Sequence, residues 1–209
     1  MSKFCILLGG SLTNTPRLRE QIQDSRFIAA DGGIRHAKTL GVTPDLWLGD
    51  FDSTDDEFFN LFASCPREGF PVEKDMTDGE LATMQALKRG ANQIILCGAF
   101  GGERVDHALL HMVFAISLRK KNIQIMLTSG DVEGYPLLGK QQFYFPSQTL
   151  FSIIGFSDIK ELTIDGAKWP IHNRDINAGS SLTLSNVVES KPLTVSIKNG
   201  SALLIGYPK

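Results

Sequence analysis

Up to about residue 130 the chain alternates short apolar runs with longer amphipathic ones; beyond it only short runs remain. The first grammar is that of a parallel α/β sheet, because each crossover between parallel strands needs a helix to cover the sheet. Strands are expected at Phe4 to Leu8, Phe27 to Ala30, Leu46 to Leu48, near Phe70, Ile94 to Cys97 and Ile123 to Thr128. A helix is expected from Asp106 to about Lys120, where Leu109, Met112, Val113 and Ile116 follow the spacing of a buried stripe and the end is basic. After Gly130 the runs Gln141 to Phe145, Leu150 to Ile154, Leu162 to Ile164, Leu182 to Leu184, Leu193 to Ile197 and Leu203 to Tyr207 are separated by turn signals such as Asp165-Gly166 and Asn199-Gly200. The expectation is an α/β fold in two parts: an N-terminal parallel-sheet α/β domain over 1–132, followed by a smaller all-β sandwich domain over 133–209.

A chain of 209 residues can bury a substantial core. Its net charge of −2 and pI near 6.1 speak against a nucleic-acid platform, and no Lys/Arg block extends beyond Arg119, Lys120 and Lys121. The three cysteines, Cys5, Cys65 and Cys97, sit beside apolar residues without a Cys-x-x-Cys pair, as small buried hydrophobes do in a reduced compartment. Phe4 to Leu8 is too short for the apolar core of a signal peptide, and no uncharged run reaches membrane-spanning length. A soluble, cytoplasmic protein with no nucleic-acid or membrane partner is expected.

The chemistry is written most densely in Leu46 to Ser53, LWLGDFDS, where an apolar run ends in Asp50 and Asp52. Alternate residues of an extended segment point the same way, so both carboxylates can face one cation at a strand end. Hard oxygen ligands with open coordination positions suit a Mg²⁺ shared with nucleotide phosphates. Acidic residues after a strand also cap helices: Ser53 with Asp56, and Thr54 with Glu57, fit capping boxes before Phe58 and Phe59. Those caps leave Asp50 and Asp52 unused.

Ligands of open parallel sheets bind beyond the carboxyl ends of the strands, and four polar clusters fall there. They are Gly9-Gly10-Ser11, Asp31-Gly32-Gly33, Asp50 with Asp52, and the turn Gly98 to His107, GAFGGERVDH. The glycines would let a phosphate approach backbone N–H groups, although none forms a Walker loop and glycine at such turns usually serves geometry alone. Asp75 to Glu80, DMTDGE, is a second acidic focus in which Thr77 and Glu80 fit a capping box. His107 and His111 lie four apart on one helix without the glutamate a zinc hydrolase needs, and His36 and His172 carry no readable signal.

Four ordered motifs resemble those of the thiamine pyrophosphokinase family: Ala30-Asp31-Gly32-Gly33, Pro44-Asp45 with Gly49 to Ser53, Asp75-x-Thr77-Asp78-x-Glu80, and the Gly-rich turn with Arg104-x-Asp106-His107. The resemblance continues through Gly166 to Pro170, GAKWP, and Ser185-Asn186, and so spans nearly the whole chain. It departs at Glu103, inserted before Arg104, at Glu73 where aspartate is frequent, and at Val187 where glutamate is common. The family implies transfer of the diphosphoryl group of ATP to thiamine, giving thiamine diphosphate and AMP, in a homodimer with the thiamine site between subunits. On that footing Asp50, Asp52, Asp75 and Asp78 are the expected Mg²⁺ ligands. Gly10, Ser11, Asp31, Gly32, Gly33, Arg104 and His107 would seat ATP, with Arg104 holding a phosphate oxygen. Asp106 or an aspartate of the metal cluster would accept the alcohol proton, and Trp169, Ser185 and Asn186 would bind thiamine, the indole by stacking on the cationic ring. An Asp-x-Asp phosphatase, a nucleotide-sugar transferase and a non-catalytic nucleotide sensor compete with this reading. The first needs its motif at the first strand, and the second leaves Asp75 to Glu80 and Arg104 to His107 unexplained. A sensor would bind ATP without turnover.

Overall fold

The computed structural model describes residues 2–51, 55–70 and 75–209. The chain divides into two compact units, Met1–His111 with Ile123–Gly130, and Met112–Asn122 with Asp131–Lys209.

In the first unit, β1 (Lys3–Leu7), β2 (Arg26–Ala30), β3 (Leu46–Gly49), β4 (Arg67–Gly69), β5 (Gln93–Cys97) and β6 (Gln124–Thr128) form a parallel array in the order β6-β5-β1-β2-β3-β4. The inner strands are buried on both faces, which is why their sequences are continuous apolar runs rather than alternating ones. Helices α1 (Pro16–Ile22), α2 (Ile34–Leu40), α3 (Asp56–Leu61), α4 (Asp78–Lys88) and α5 (Val105–Lys120) follow strands as the crossovers require. Local signals set their ends. Pro16 opens α1 while the Thr15 hydroxyl accepts from Leu18 N, and Gly41 closes α2 in the left-handed conformation. The Thr77–Glu80 capping box is present in full at α4. Leu7, Leu18, Ile34, Trp47 and Ile95 lie in one buried cluster.

The second unit is a β-sandwich. One antiparallel array orders β12 (Asn186–Val187), β9 (Leu150–Gly155), β14 (Ala202–Tyr207) and β7 (Glu133–Pro136); the other orders β11 (Ile171–Ile176), β10 (Ile159–Asp165), β13 (Leu193–Ile197) and β8 (Gly139–Phe143). Phe151, Ile153 and Leu204 of the first array and Leu162, Ile164 and Val195 of the second share one core.

Three expectations need correction. The α5 stripe is not buried as a stripe: Ile116 is, but Leu109 and Val113 are about half exposed, and burial falls instead on Ala115, Ile116 and Leu118. Leu182 to Leu184 is a turn, with both leucines exposed; only Thr183 is buried, its hydroxyl donating to Ile153 O at 2.6 Å. The strand expected at Gln141 to Phe145 begins at Gly139 and ends at Phe143. The caps expected at Ser53 and Thr54 lie outside the described residues.

Candidate active site

At the carboxyl end of β1 the chain turns through Leu8 to Ser11 and is laced to the end of β5. Leu8 N donates to Cys97 O (2.7 Å), Gly10 N to Gly98 O (3.0 Å) and Ser11 N to Phe100 O (3.0 Å). A side chain at Gly10 would place its Cβ 2.3 Å from Gly98 O, so this close lacing requires glycine. The same bonds occupy the Gly10 and Ser11 N–H groups, which are therefore not presented to a phosphate as the sequence suggested. His36, buried in α2, closes the arrangement from below with Nε2 2.9 Å from Gly10 O. Burial pulls its pKa down from the usual imidazole value.

Two hollows open above this base. The larger, of about 840 Å³, is lined by carboxylates from four places in the chain: Asp31 after β2, Asp50 after β3, Asp75 before α4, and Asp78 with Glu80 in its first turn. The smaller, of about 310 Å³, is lined by Gly9, Gly10, Gly98 and the 101–104 turn. Arg35, Arg104, His107 and His111 line both. These volumes are those of small-molecule sites.

Gly49 permits the meeting of the first two aspartates, since a Cβ there would stand 3.0 Å from Asp31 Cα. Asp31 has φ +43, and its carbonyl accepts the Trp47 indole N–H at 3.0 Å. Phe51 turns the chain away after Asp50 with φ +62 and sets its ring edge-on to Trp47 at 5.1 Å. Glu80 acts as the helix cap, accepting from Thr77 N (2.9 Å) and from the Thr77 hydroxyl (3.0 Å).

Arg104 grips Asp106 with both prongs, Nη2 to Oδ2 at 2.7 Å and Nε to Oδ1 at 3.0 Å. That pairing holds the Asp106 carboxyl far below the ordinary range, chiefly through the hydrogen bonds.

Of the candidate residues, Asp31, Gly32, Asp50, Asp75, Asp78, Arg104 and His107 line the larger hollow, and Gly10 lines the smaller. Ser11 and Gly33 do not line either; Gly33 packs under Leu7, where a Cβ would lie 2.1 Å from its carbonyl. Asp52 lies outside the described residues. From the sequence His111 is weighed only as half of a zinc-like pair with His107 and Arg35 is passed over, although each carries a legible signal: Arg35 follows Asp31 by four residues at the start of a helix, and His111 follows His107 by four. Arg35 Nη2 donates to Gly9 O and, at 3.3 Å, to Gly10 O. His111 sits with Nδ1 3.4 Å from Ala99 O, its pKa lowered by burial.

In the second unit Trp169 is about half exposed. Ser185, at φ +57, donates its N–H to Ser152 Oγ at 3.0 Å. Asn186 is buried, with its amide bonded to the Trp169 backbone.

Acidic groups and glycine turns gathered at the carboxyl ends of parallel strands, with two guanidinium groups beside them, make this an α/β protein with a highly polar small-molecule site at its strand ends. Comparison with known proteins narrows this class. The family profile "Thiamin pyrophosphokinase, catalytic domain" matches residues 19–127, and "Thiamin pyrophosphokinase, vitamin B1 binding domain" matches residues 142–204. A thiamine pyrophosphokinase of Bacillus subtilis is 31% identical over 211 residues, covering 98% of each chain. A crystal structure of thiamine pyrophosphokinase from Bacillus subtilis superposes with a TM-score of 0.88 at 27% identity, covering all of both chains. One from Geobacillus thermodenitrificans gives 0.80 at 27% identity, over 100% of this chain and 98% of that one. The chain belongs to the thiamin pyrophosphokinase family, transferases that make thiamine diphosphate at the expense of ATP.

Proposed function

We propose that the larger hollow seats the polyphosphate of ATP and that the chain transfers the diphosphoryl group to the hydroxyethyl oxygen of thiamine, releasing AMP. The observation that carries this reading is the convergence of Asp31, Asp50, Asp75 and Asp78 on one hollow from separate segments. A phosphatase or sugar transferase built on Asp-x-Asp alone would leave Asp75, Asp78 and Arg104 without a purpose, and membership of a transferase family disfavours a non-catalytic sensor.

The donor set fits a hard divalent cation, taken here as Mg²⁺: Asp50, Asp75 and Asp78 offer carboxylate oxygens to the hollow and no thiolate lines it. Asp52, by its place in Asp-x-Asp, is assigned to the same ion. Bound there, the ion would neutralise charge on the transferring group. Arg35 and Arg104 supply guanidinium donors to phosphate oxygens, and for Arg104 this requires release from Asp106. Asp31, held by the Trp47 indole, and Gly32 shape the nucleotide side. The enzyme's main contribution is alignment of the alcohol with the β-phosphorus and electrostatic stabilisation of the leaving α-phosphate.

We assign phosphate chemistry to residues 1–132 and thiamine recognition to 133–209, with Trp169 and Ser185 facing the vitamin. A homodimer is our reading of the quaternary state, with the thiamine face of one subunit serving the phosphate site of the other. On α5, Val105, Leu109 and Val113 recur every four residues at 71%, 51% and 49% exposure, an apolar strip that a second copy would cover. Among the described residues no helix is long and apolar enough to cross a membrane. The free, buried Cys5, Cys65 and Cys97 are in keeping with a cytoplasmic location.

Incubation of the purified protein with ATP, Mg²⁺ and thiamine tests the reading. Mass spectrometry should show thiamine diphosphate and AMP appearing one for one. ADP with thiamine monophosphate would overturn attack at the β-phosphorus.

A further inference from the structure

The segment Gly166 to Trp169 is tied to residues 186–190 through four of its backbone groups. Gly166 O accepts from Glu189 N (2.9 Å) and Ser190 N (3.1 Å), and Lys168 N donates to Val187 O (2.8 Å). Trp169 is then held at both its backbone groups by one side chain: its N–H donates to Asn186 Oδ1 (3.1 Å), and its carbonyl accepts from Asn186 Nδ2 (2.8 Å). Asn186 Oδ1 also accepts from Val187 N (2.8 Å), and the residue is only 4% exposed. Its amide is therefore spent on positioning Trp169 and is not presented to a ligand. The backbone is held by these bonds, yet Trp169 remains 53% exposed, the arrangement of a preformed stacking platform.

The platform already carries a cation. The ammonium of Lys168 lies 4.9 Å from the centre of the Trp169 ring, within the range at which the ring quadrupole attracts positive charge. We propose that Lys168 is an internal competitor for the Trp169 face: its ammonium occupies the indole in the unliganded chain, and a planar organic cation must displace it to stack there. Lys168 thereby sets the affinity of the site downward, and Asn186 is a positioning residue acting through Trp169. This inference rests on reading Trp169 as the platform for the thiamine ring.

Calorimetric titration of the full-length protein with thiamine, in wild type and three variants, provides the test. Lys168→Met keeps the length and apolar stem of the side chain but removes its charge; thiamine should bind about 2- to 5-fold more tightly, the worth of one exposed cation–π contact. Affinity for ATP should not change. Lys168→Arg keeps a cation that stacks more closely and should weaken thiamine binding. A neutral analogue with thiophene in place of the thiazolium should gain less than thiamine from Lys168→Met. Unchanged or weaker thiamine binding by Lys168→Met, or an equal gain for the neutral analogue, would overturn the competition. Trp169→Ala separates the two levels of the inference: if it leaves thiamine affinity at the wild-type value, the ring does not stack on this indole at all. A wild-type protein that neither binds thiamine nor converts it would overturn the functional reading instead.

Discussion

Asp31 and Asp50 line one hollow, and Gly49 at the end of β3 has no side chain to crowd Asp31. Asp31 adopts a backbone conformation that non-glycine residues rarely take, and the indole of Trp47 holds its carbonyl in place, so local strain is maintained by tertiary contacts at the site where charge is needed. If Asp50 serves the metal and phosphate, Asp50→Asn preserves its shape and removes its charge; turnover should fall about 10²-fold or more in steady-state assays while the thermal transition stays near that of wild type. His36 gives a pH prediction. Its folded pKa lies below the ordinary value of 6.5, so an unfolded chain takes up a proton that the folded chain refuses. The stability this group contributes is whole above pH 6.5 and is lost as pH falls from there through the folded pKa. Half-buried His111 acts in the same direction. Thermal melts should therefore show Tm decreasing as the pH is lowered past 6.5, with a shallower slope for His36→Gln.

The turns that frame the site behave as units rather than as independent residues. Leu8 to Ser11 and Cys97 to Phe100 share three backbone hydrogen bonds, and Gly10 lies at the centre of the contact. Gly10→Ala would drive a Cβ against two backbone carbonyls that have no free direction in which to move. Denaturant melts should show a loss of about 1–3 kcal/mol, and the KM for ATP should rise, because the displaced turn lines the smaller hollow. Unchanged stability would mean that the two turns separate at little cost. Helix α4 was legible from its capping residues, whereas α5 was legible only in its length. Its apolar spacing predicted a buried stripe, but the helix turns Leu109 and Val113 outward, and periodicity alone cannot say whether an apolar face meets the chain's own core or another molecule.

At the scale of the whole molecule that outward strip leads to a test of assembly. Leu109→Glu combined with Val113→Glu should convert a dimer to a monomer in light scattering, with little loss of folding because both side chains are already about half exposed. A wild-type monomer would dispose of the proposed homodimer, and a dimer that tolerates both changes would dispose of this face. The sequence by itself determined the two-part architecture, because a parallel sheet needs helical crossovers and continuous apolar strands, and an antiparallel one needs short alternating runs with turn residues between them. It also marked the acidic and glycine motifs as candidates, since ligands of such sheets gather at strand ends whose positions the apolar runs mark. Only the tertiary structure decided how those motifs are used. Gly10 and Ser11 have their N–H groups taken by carbonyls of a turn some ninety residues away, Asp106 is neutralised by Arg104, and the Asn186 amide serves the Trp169 backbone. Arg35 and His111 enter the site through packing between segments distant in the chain. The physical reason is common to all of these: a hydrogen-bonding group's role depends on which partner reaches it first in three dimensions, and no spacing along one chain records that.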